Sequence, residues 1–189
     1  MLEQDFFTVN HKMTANVEPM DNQFSLPSQE QFELEIPAPF IIANKFSKLD
    51  RFNDNALLEL KNNKLNHVIQ LLDNQNSKLN LLLSFALSQH NNMKYSQSTL
   101  SFGASKFSYG SSNKLSINTI VRVKLFLEYP PSAVYCYGKV ICCKKAEKIW
   151  IITVKYNLLK ECDQDLLIKA ALYQQKKILR QRSRSMNRE

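Results

Sequence analysis

The spacing of hydrophobic residues changes near residue 91, and the segment before that point has a helical pattern. Residues 46–90 contain neither glycine nor proline, and their apolar residues follow a seven-residue repeat. This repeat predicts a single helix of roughly 35–40 residues, about 55–60 Å long, with one apolar seam. The seam consists of Leu58, Leu65, Val68, Leu72, Gln75, Leu79 and Leu82.

A seam of this kind predicts self-association. Gln75 is its polar member, and a polar residue at such a position costs stability but fixes the register and the number of helices. Leu71, Leu81 and Phe85 lie off the seam, so the helix carries more apolar surface than one small domain covers. We therefore predict a coiled-coil homo-oligomer, with a tetramer favoured over a pair. The alternative is a long amphipathic helix packed along its own domain.

The hydrophobic period becomes two after residue 93, which predicts β-strands. Pro130 and Pro131 end one alternating run, and a charged turn at residues 144–148 ends the next. An antiparallel meander of such strands closes into a small barrel. The predicted strands are residues 98–102, 106–109, 120–129, 134–143 and 149–156.

The last regular segment, residues 161–182, has the pattern of a helix. Asp163 is placed to cap its first turn. Four apolar residues recur at helical spacing, and we expect them to face the barrel. They are Leu166, Leu167, Ala170 and Ala171.

Residues 1–45 are polar, punctuated by prolines and without a sustained period, so we predict an extended or poorly ordered acidic leader. Within it, residues 32–36 alternate apolar and acidic side chains, which predicts an edge strand. Residues 37–42 predict an apolar anchor. The predicted domains are the leader at 1–45, the oligomerising helix at 46–93, the barrel with its C-terminal helix at 94–182, and a basic tail at 183–189.

The net charge of +8 is divided unevenly along the chain. Residues 1–45 hold seven acidic and two basic residues, a net charge of −5, so the remaining 144 residues carry +13. Six of the positive charges lie in residues 176–188. Such a tail attracts phosphate groups, nucleic acid or an acidic protein surface, and the acidic leader could fold back on it. The alternative is a solvated helix terminus favoured by the helix dipole.

Composition and motifs argue against several classes of protein. No apolar run reaches the ~20 residues that span a membrane, and the N-terminus lacks a basic segment followed by an apolar one, so we expect a cytoplasmic protein. The four cysteines include no CxxC pair, which predicts small thiols rather than a metal site. We predict no enzyme activity, because the sequence has neither a glycine-rich phosphate loop nor a GxSxG motif.

Three segments carry a family resemblance: NTIVRVKLFLE, AVYCYGKVICC and IWIITVKYNLLKECDQDLLIKAALYQQKKILR. They are similar to successive strands and to the C-terminal helix of the PilZ domain, the bacterial receptor module for cyclic di-GMP. The resemblance covers residues 94–182. It implies a mainly β fold with helical extensions (α+β), built on a six-stranded antiparallel barrel. The preceding heptad helix resembles that of an atypical PilZ subgroup that assembles as tetramers.

The resemblance also implies where a dinucleotide would bind. The family's RxxxR motif, which clamps phosphates just before the first strand, falls on HNNMKYSQ, where Lys94 is the sole cation. The family's [D/N]xSxxG motif falls on residues 99–104: Ser101 matches the serine, Gly103 lies one place early, and Thr99 replaces the acid or amide. Loss of two arginine clamps removes roughly 3–6 kcal/mol of binding energy.

Arginines of the basic tail offer a replacement for the missing clamp. Arg180 and Arg184 have the RxxxR spacing, and Arg182 lies between them. Together with Lys94, Ser101 and Gly103 they form the candidate ligand site. No cofactor is predicted, and cyclic di-GMP is the one candidate ligand.

Three functions remain open from the sequence. The first, which we favour, is a non-enzymatic signalling or scaffold protein that self-associates and acts through a protein partner. The second is a cyclic di-GMP receptor with a rearranged site. The third is a nucleic-acid-binding barrel, for which Phe102, Phe107 and Tyr109 are candidate stacking residues. The alternative role of these three aromatics is barrel core.

Overall fold

The computed structural model of the chain describes residues 7–49, 53–128 and 131–186. Its strands are β1 (Thr8–Asn10), β2 (Thr14–Pro19), β3 (Ser96–Gly103), β4 (Lys106–Ser111), β5 (Ile120–Leu127), β6 (Ser132–Ala146) and β7 (Ile149–Leu158). Its helices are α1 (Gln29–Glu35), α2 (Ala38–Leu49), α3 (Asn53–Asn62), α4 (Asn66–Ser88) and α5 (Glu161–Met186), with a 3₁₀ turn at Met93–Tyr95.

Six strands close into an antiparallel barrel. The order around it is β3–β2–β5–β6–β7–β4, and β4 pairs with β3 to complete the ring. The short strand β1 pairs with the C-terminal half of β3. The register places Val123 opposite both Val17 and Cys136, all three of which are buried, so inward-facing side chains meet in one core. The predicted fold class is confirmed, and each predicted strand matches one of β3–β7.

One face of α5 packs against this core, as the sequence predicts. Its four predicted inward residues belong to the same buried cluster as the barrel strands. The predicted cap is wrong, because α5 begins at Glu161 and Asp163 lies in its first turn. The Asp163 carboxylate is instead buried and accepts a hydrogen bond from Asn44 Nδ2 at 2.5 Å.

The prediction of an extended or poorly ordered leader is wrong for residues 8–45. Residues 8–19 supply β1 and β2, and Val9, Met13 and Ala15 are buried in the barrel core. The barrel is therefore not confined to residues 94–182, and the helices α1–α4 are inserted between β2 and β3 along the chain.

The predicted edge strand at residues 32–36 is also wrong, because these residues lie in and just after α1. Ser28 forms a capping box with Gln31: Ser28 Oγ accepts from Gln31 N, and Gln31 Oε1 accepts from Ser28 N. Two backbone donors at the helix start are thereby satisfied. This cap and the burial of Phe32 prevail over the alternating pattern.

The single helix predicted for residues 46–93 is divided. Between α3 and α4, Lys64 adopts a left-handed conformation with φ 57°. Lys64 N donates to Lys61 O at 3.1 Å, and Leu65 N donates to Leu60 O at 3.0 Å. These two hydrogen bonds form a Schellman motif, which ends a helix. The predicted seam is therefore distributed over two helices.

A second core joins the helices to the outside of the barrel. Strand β6 is buried on both faces from residue 132 to residue 138, and aromatic side chains on its outer face meet α1, α2 and the end of α4. Phe40 is fully buried there, which confirms the predicted anchor. The cluster consists of Phe32, Ile36, Phe40, Ala43, Leu83, Leu87, Ala133, Tyr135 and Tyr137.

Candidate ligand and assembly sites

The predicted ligand motif lies on β3, where it contacts the N-terminal strands. A Cβ atom added to Gly103 would overlap the carbonyl oxygen of Phe7 and come within 2.9 Å of Thr8 Cγ2. The glycine is therefore required by the close approach of the chain that enters β1. Ser101 Oγ lies 2.7 Å from Ser108 Oγ on the neighbouring strand β4.

Thr99, which stands in place of the family's acid or amide, is fully buried. Its Oγ1 accepts a hydrogen bond from Met13 N at 3.0 Å and donates one to His11 O at 2.8 Å. The side chain thus provides hydrogen-bond partners for backbone groups where the chain passes from β1 to β2. An ionised carboxylate in this position would be desolvated.

The structure does not bring the predicted cations to Ser101 within one chain. Lys94 lies in the 3₁₀ turn, with Nζ 5.0 Å from the centroid of the Tyr95 ring. From Ser96, at the start of β3, to Ser101 the strand spans about 17 Å. Lys94 and Ser101 therefore lie towards opposite ends of β3.

The tail arginines lie at the far end of α5. Gln164 Nε2 donates to Ala104 O at 3.4 Å, which places the first turn of α5 beside the ligand motif. Arg180 follows Gln164 by 16 residues on the same helix, about 24 Å along its axis. Arg182 lies further along, and the side chain of Arg184 lies outside the described residues.

The position assigned to the RxxxR motif needs a correction. Because the first barrel strands are β1 and β2, the segment just before them is residues 1–7 rather than HNNMKYSQ. The sequence of residues 1–7 contains no arginine, and residues 1–6 lie outside the described part of the chain. Neither of these two segments therefore supplies the RxxxR pair.

The aromatic residues proposed for base stacking lie in the barrel core. Phe102, Phe107 and Tyr109 are each at most 2% exposed. Burial, and to a smaller extent the charge of Cys143, raises the pKa of the Tyr109 phenol well above its usual value. The prediction that bases stack on this cluster is therefore wrong, and the alternative role of these residues as barrel core is confirmed.

A polar cluster on the outer barrel face went undetected in the sequence. The hydroxyls of Tyr135 and Tyr137 both donate to Glu35 Oε2, at 3.1 and 2.6 Å. Beside them, Arg122 Nε donates to Glu18 Oε2 at 2.9 Å. Burial alone would lower the pKa of Arg122, but the hydrogen bond and charge of Glu18 outweigh it and raise the pKa. Partners from distant segments build this cluster, so no local pattern could reveal it.

The predicted seam is exposed in the single chain. Leu83 and Leu87, off the seam, are buried residues of α4 and anchor its C-terminal end. Gln75 is exposed. The apolar seam residues, each between 41% and 66% exposed, are Leu58, Leu65, Val68, Leu72, Leu79 and Leu82. Such a row of apolar side chains is typical of a surface that another protein surface covers.

The cysteines and histidines do not form a metal centre within the described residues. Cys136 is buried, whereas Cys142, Cys143 and Cys162 are partly exposed. Burial, with a smaller effect of the Asp163 charge, raises the pKa of the Cys136 thiol. Among the described helices, none combines the length and apolar content needed to cross a bilayer.

Comparisons with known proteins bear on the fold. No protein-family model and no curated protein match the sequence. The chain is similar to the solved structure of a pathogenic protein from Xanthomonas campestris, described as a new tetrameric PilZ domain self-assembled via an unusual helical bundle. The identity is 12% and the TM-score 0.54, over 93% of this chain and 91% of that chain.

A second solved structure is the Bacillus subtilis inhibitor of motility (MotI/DgrA), with 14% identity and a TM-score of 0.41, over 43% of this chain and 42% of that chain. The likeness to the Xanthomonas protein extends over helices and barrel together. The chain therefore has the fold of a PilZ domain, a closed six-stranded barrel with long helices attached.

Proposed function

We propose that this chain is a non-enzymatic signalling or scaffold protein of the PilZ type, which self-associates through α3 and α4 and acts through a protein partner. The observation that carries the proposal is the exposed apolar row on these helices. Leu72 and Leu79 are 44% and 50% exposed and lie two helical turns apart on one face. The tetrameric assembly described for the Xanthomonas protein supports a tetramer here.

The geometry of β3 supports a protein that has lost the usual dinucleotide site. Thr99 is fully buried and holds the backbone of His11 and Met13, and Gly103 accommodates the chain at Phe7. These residues serve the N-terminal strands. Neither residues 1–7 nor HNNMKYSQ contains an arginine that could clamp a phosphate.

The mass of the protein in solution tests self-association. Multi-angle light scattering is expected to give the mass of four 21.9 kDa chains. The double variant Leu72→Glu with Leu79→Glu is expected to dissociate, because it buries charges in the bundle. The matched control is Gln70→Glu with Ser77→Glu, which adds the same two charges at exposed polar positions of the same helix, away from the seam. A monomeric wild-type protein would refute the proposed assembly.

Calorimetry with cyclic di-GMP tests the ligand half of the proposal. No binding heat is expected at ~100 μM dinucleotide, since the clamp is missing. Binding that disappears in Arg180→Ala with Arg184→Ala would instead establish the receptor hypothesis with its tail site. Restoring the family's acid by Thr99→Asp is expected to destabilise the barrel without creating affinity, because the new carboxylate would be buried.

A further inference from the structure

The outer face of α5 carries an apolar stripe that the barrel does not cover. Ile168, Leu172 and Leu179 are 37%, 57% and 52% exposed. At 100° per residue they fall within about 40° of one another around the helix, opposite the face that packs on the barrel. A stripe this narrow is typical of a helix–helix seam and falls short of the broad apolar face of a membrane-surface helix.

A row of basic side chains runs beside this stripe. Lys169, Lys176 and Arg180 are exposed and lie roughly 80° further round the helix. In a pair of helices, residues in this flanking position meet the flanking residues of the partner, and opposite charges there select the partner. The stripe and the row together therefore call for an apolar seam flanked by acidic residues.

Three acidic residues of the N-terminal segment are engaged elsewhere. Glu18 pairs with Arg122, Glu35 accepts from Tyr137, and Glu33 lies 3.8 Å from Lys160, before the start of α5. The predicted return of the acidic leader onto the basic tail therefore receives no support from these three residues. A second copy of α5 in parallel orientation is also a poor occupant, because its lysines would face those of the first.

We propose that the outer face of α5 docks an amphipathic helix of a partner protein whose apolar seam is flanked by acidic residues. This inference rests on the proposed function, because it names the kind of partner through which the chain acts. The docking face is formed by Ile168, Lys169, Leu172, Lys176, Leu179 and Arg180. It is separate from the self-association face on α3 and α4.

The test uses the full chain and a synthetic helical peptide as the probe. The labelled peptide has roughly four heptads, with leucine at positions a and d and glutamate at e and g; a second peptide carries lysine at e and g. Fluorescence anisotropy is expected to show saturable binding of the acidic peptide, weakened when NaCl rises from ~0.1 to ~0.5 M. The basic peptide is expected not to bind.

Two single variants with the same change in net charge distinguish docking of the peptide on this face from non-specific electrostatic attraction to the basic chain. Lys176→Glu alters the basic row and is expected to weaken binding about fivefold. Lys177→Glu alters an exposed lysine about 160° away from the stripe. This variant is expected to change the affinity for the acidic peptide less than about twofold. Leu172→Ser with Leu179→Ser is expected to weaken binding about tenfold or more.

Several outcomes overturn the inference: no saturable binding of the acidic peptide, or equal effects of Lys176→Glu and Lys177→Glu. Stripe-dependent binding to vesicles of anionic lipid without peptide binding would assign the face to a membrane. A lower oligomeric mass of the Leu172→Ser, Leu179→Ser variant would assign it to a second copy. The Leu72→Glu, Leu79→Glu variant separates the two proposals, because it loses assembly while peptide binding is retained.

Discussion

The barrel and the helices α3 and α4 use their apolar side chains in opposite ways. In the barrel, Val121, Val123 and Leu125 are fully buried, so the strands of one chain cover one another. On α4, Leu81, Leu82 and Phe85 are each at least 66% exposed. The hydrophobic effect therefore stabilises the barrel within one chain, whereas the same effect on α4 becomes available only when another surface covers it.

The end of α4 shows where this difference begins. Leu83 and Leu87 are buried against the aromatic cluster on β6, while Leu82, directly before Leu83 along the chain, is exposed. One helix thus belongs to the folded chain at its C-terminal end and presents a free apolar face along its length. α4 therefore connects the barrel to whichever surface covers its exposed apolar face.

The largest effect is expected from the barrel core. Phe107 is buried and stacks on Tyr109 and Tyr156, so Phe107→Ala is expected to cost about 3–5 kcal/mol of unfolding free energy. Phe85→Ala, which truncates an exposed phenylalanine, is expected to cost less than about 0.5 kcal/mol in the dissociated chain. Urea unfolding followed by circular dichroism measures both. Equal losses of unfolding free energy in the two variants would contradict the difference in burial between the barrel and α4.

A smaller effect is expected within α4. Leu87 is 4% exposed and Leu82 is 66% exposed, so in the dissociated chain Leu87→Ala is expected to cost about 2–4 kcal/mol and Leu82→Ala less than about 0.5 kcal/mol. Hydrogen exchange of the α4 amides reports the difference, because Leu87→Ala removes the anchor to β6. Faster exchange in Leu82→Ala than in Leu87→Ala would contradict the assigned anchor.

Substitutions at Gly103 and Gly110 test how tightly the chain entering β1 packs on β3. Gly103→Ala is expected to cost about 1–3 kcal/mol, because its Cβ would overlap backbone at Phe7. Gly110→Ala is the control, since its Cβ would meet only the flexible end of Ile149, at 3.1 Å. Thermal unfolding compares the two variants. A smaller loss of stability in Gly103→Ala than in Gly110→Ala would mean that the chain at Phe7 can shift away from β3 at little cost.

The smallest effect is expected at the break between the helices. Lys64 has φ 57°, a conformation that costs a side-chain-bearing residue about 1 kcal/mol, so Lys64→Gly is expected to stabilise the isolated chain by about that amount. Lys61→Gly, inside α3, is expected to destabilise by a similar amount. Chemical unfolding of both variants measures the signs. Destabilisation by Lys64→Gly would argue against the Schellman motif.

The sequence predicted those elements whose periodicity is local. Strands β3–β7 and the packing face of α5 follow from alternation and helical spacing within each segment. The first strands escaped detection because β1 has three residues and β2 has six, including the polar Thr14 and Asn16. Their pairing with β3 and β5 joins residues about eighty or more positions apart in the sequence, a relation that no local pattern contains.

The candidate ligand site shows the same division. Ser101 and Gly103 lie on the strand and turn that the family resemblance implies, but the roles of Thr99 and Gly103 depend on where the N-terminal strands cross β3. The distance from the motif to Arg180 depends on the direction of α5. Sequence spacing alone could not exclude that the tail returned to the motif.

By itself, the sequence determined the meander of β3–β7, the closing helix and the apolar surplus on the helical segment before β3, because periodicity and composition record each of these. Only the tertiary structure decided that residues 8–19 complete the barrel and that Lys64 divides the seam. It also decided that the two faces of β6 serve two cores. These features arise from contacts between distant segments, whose energies depend on how the whole chain closes.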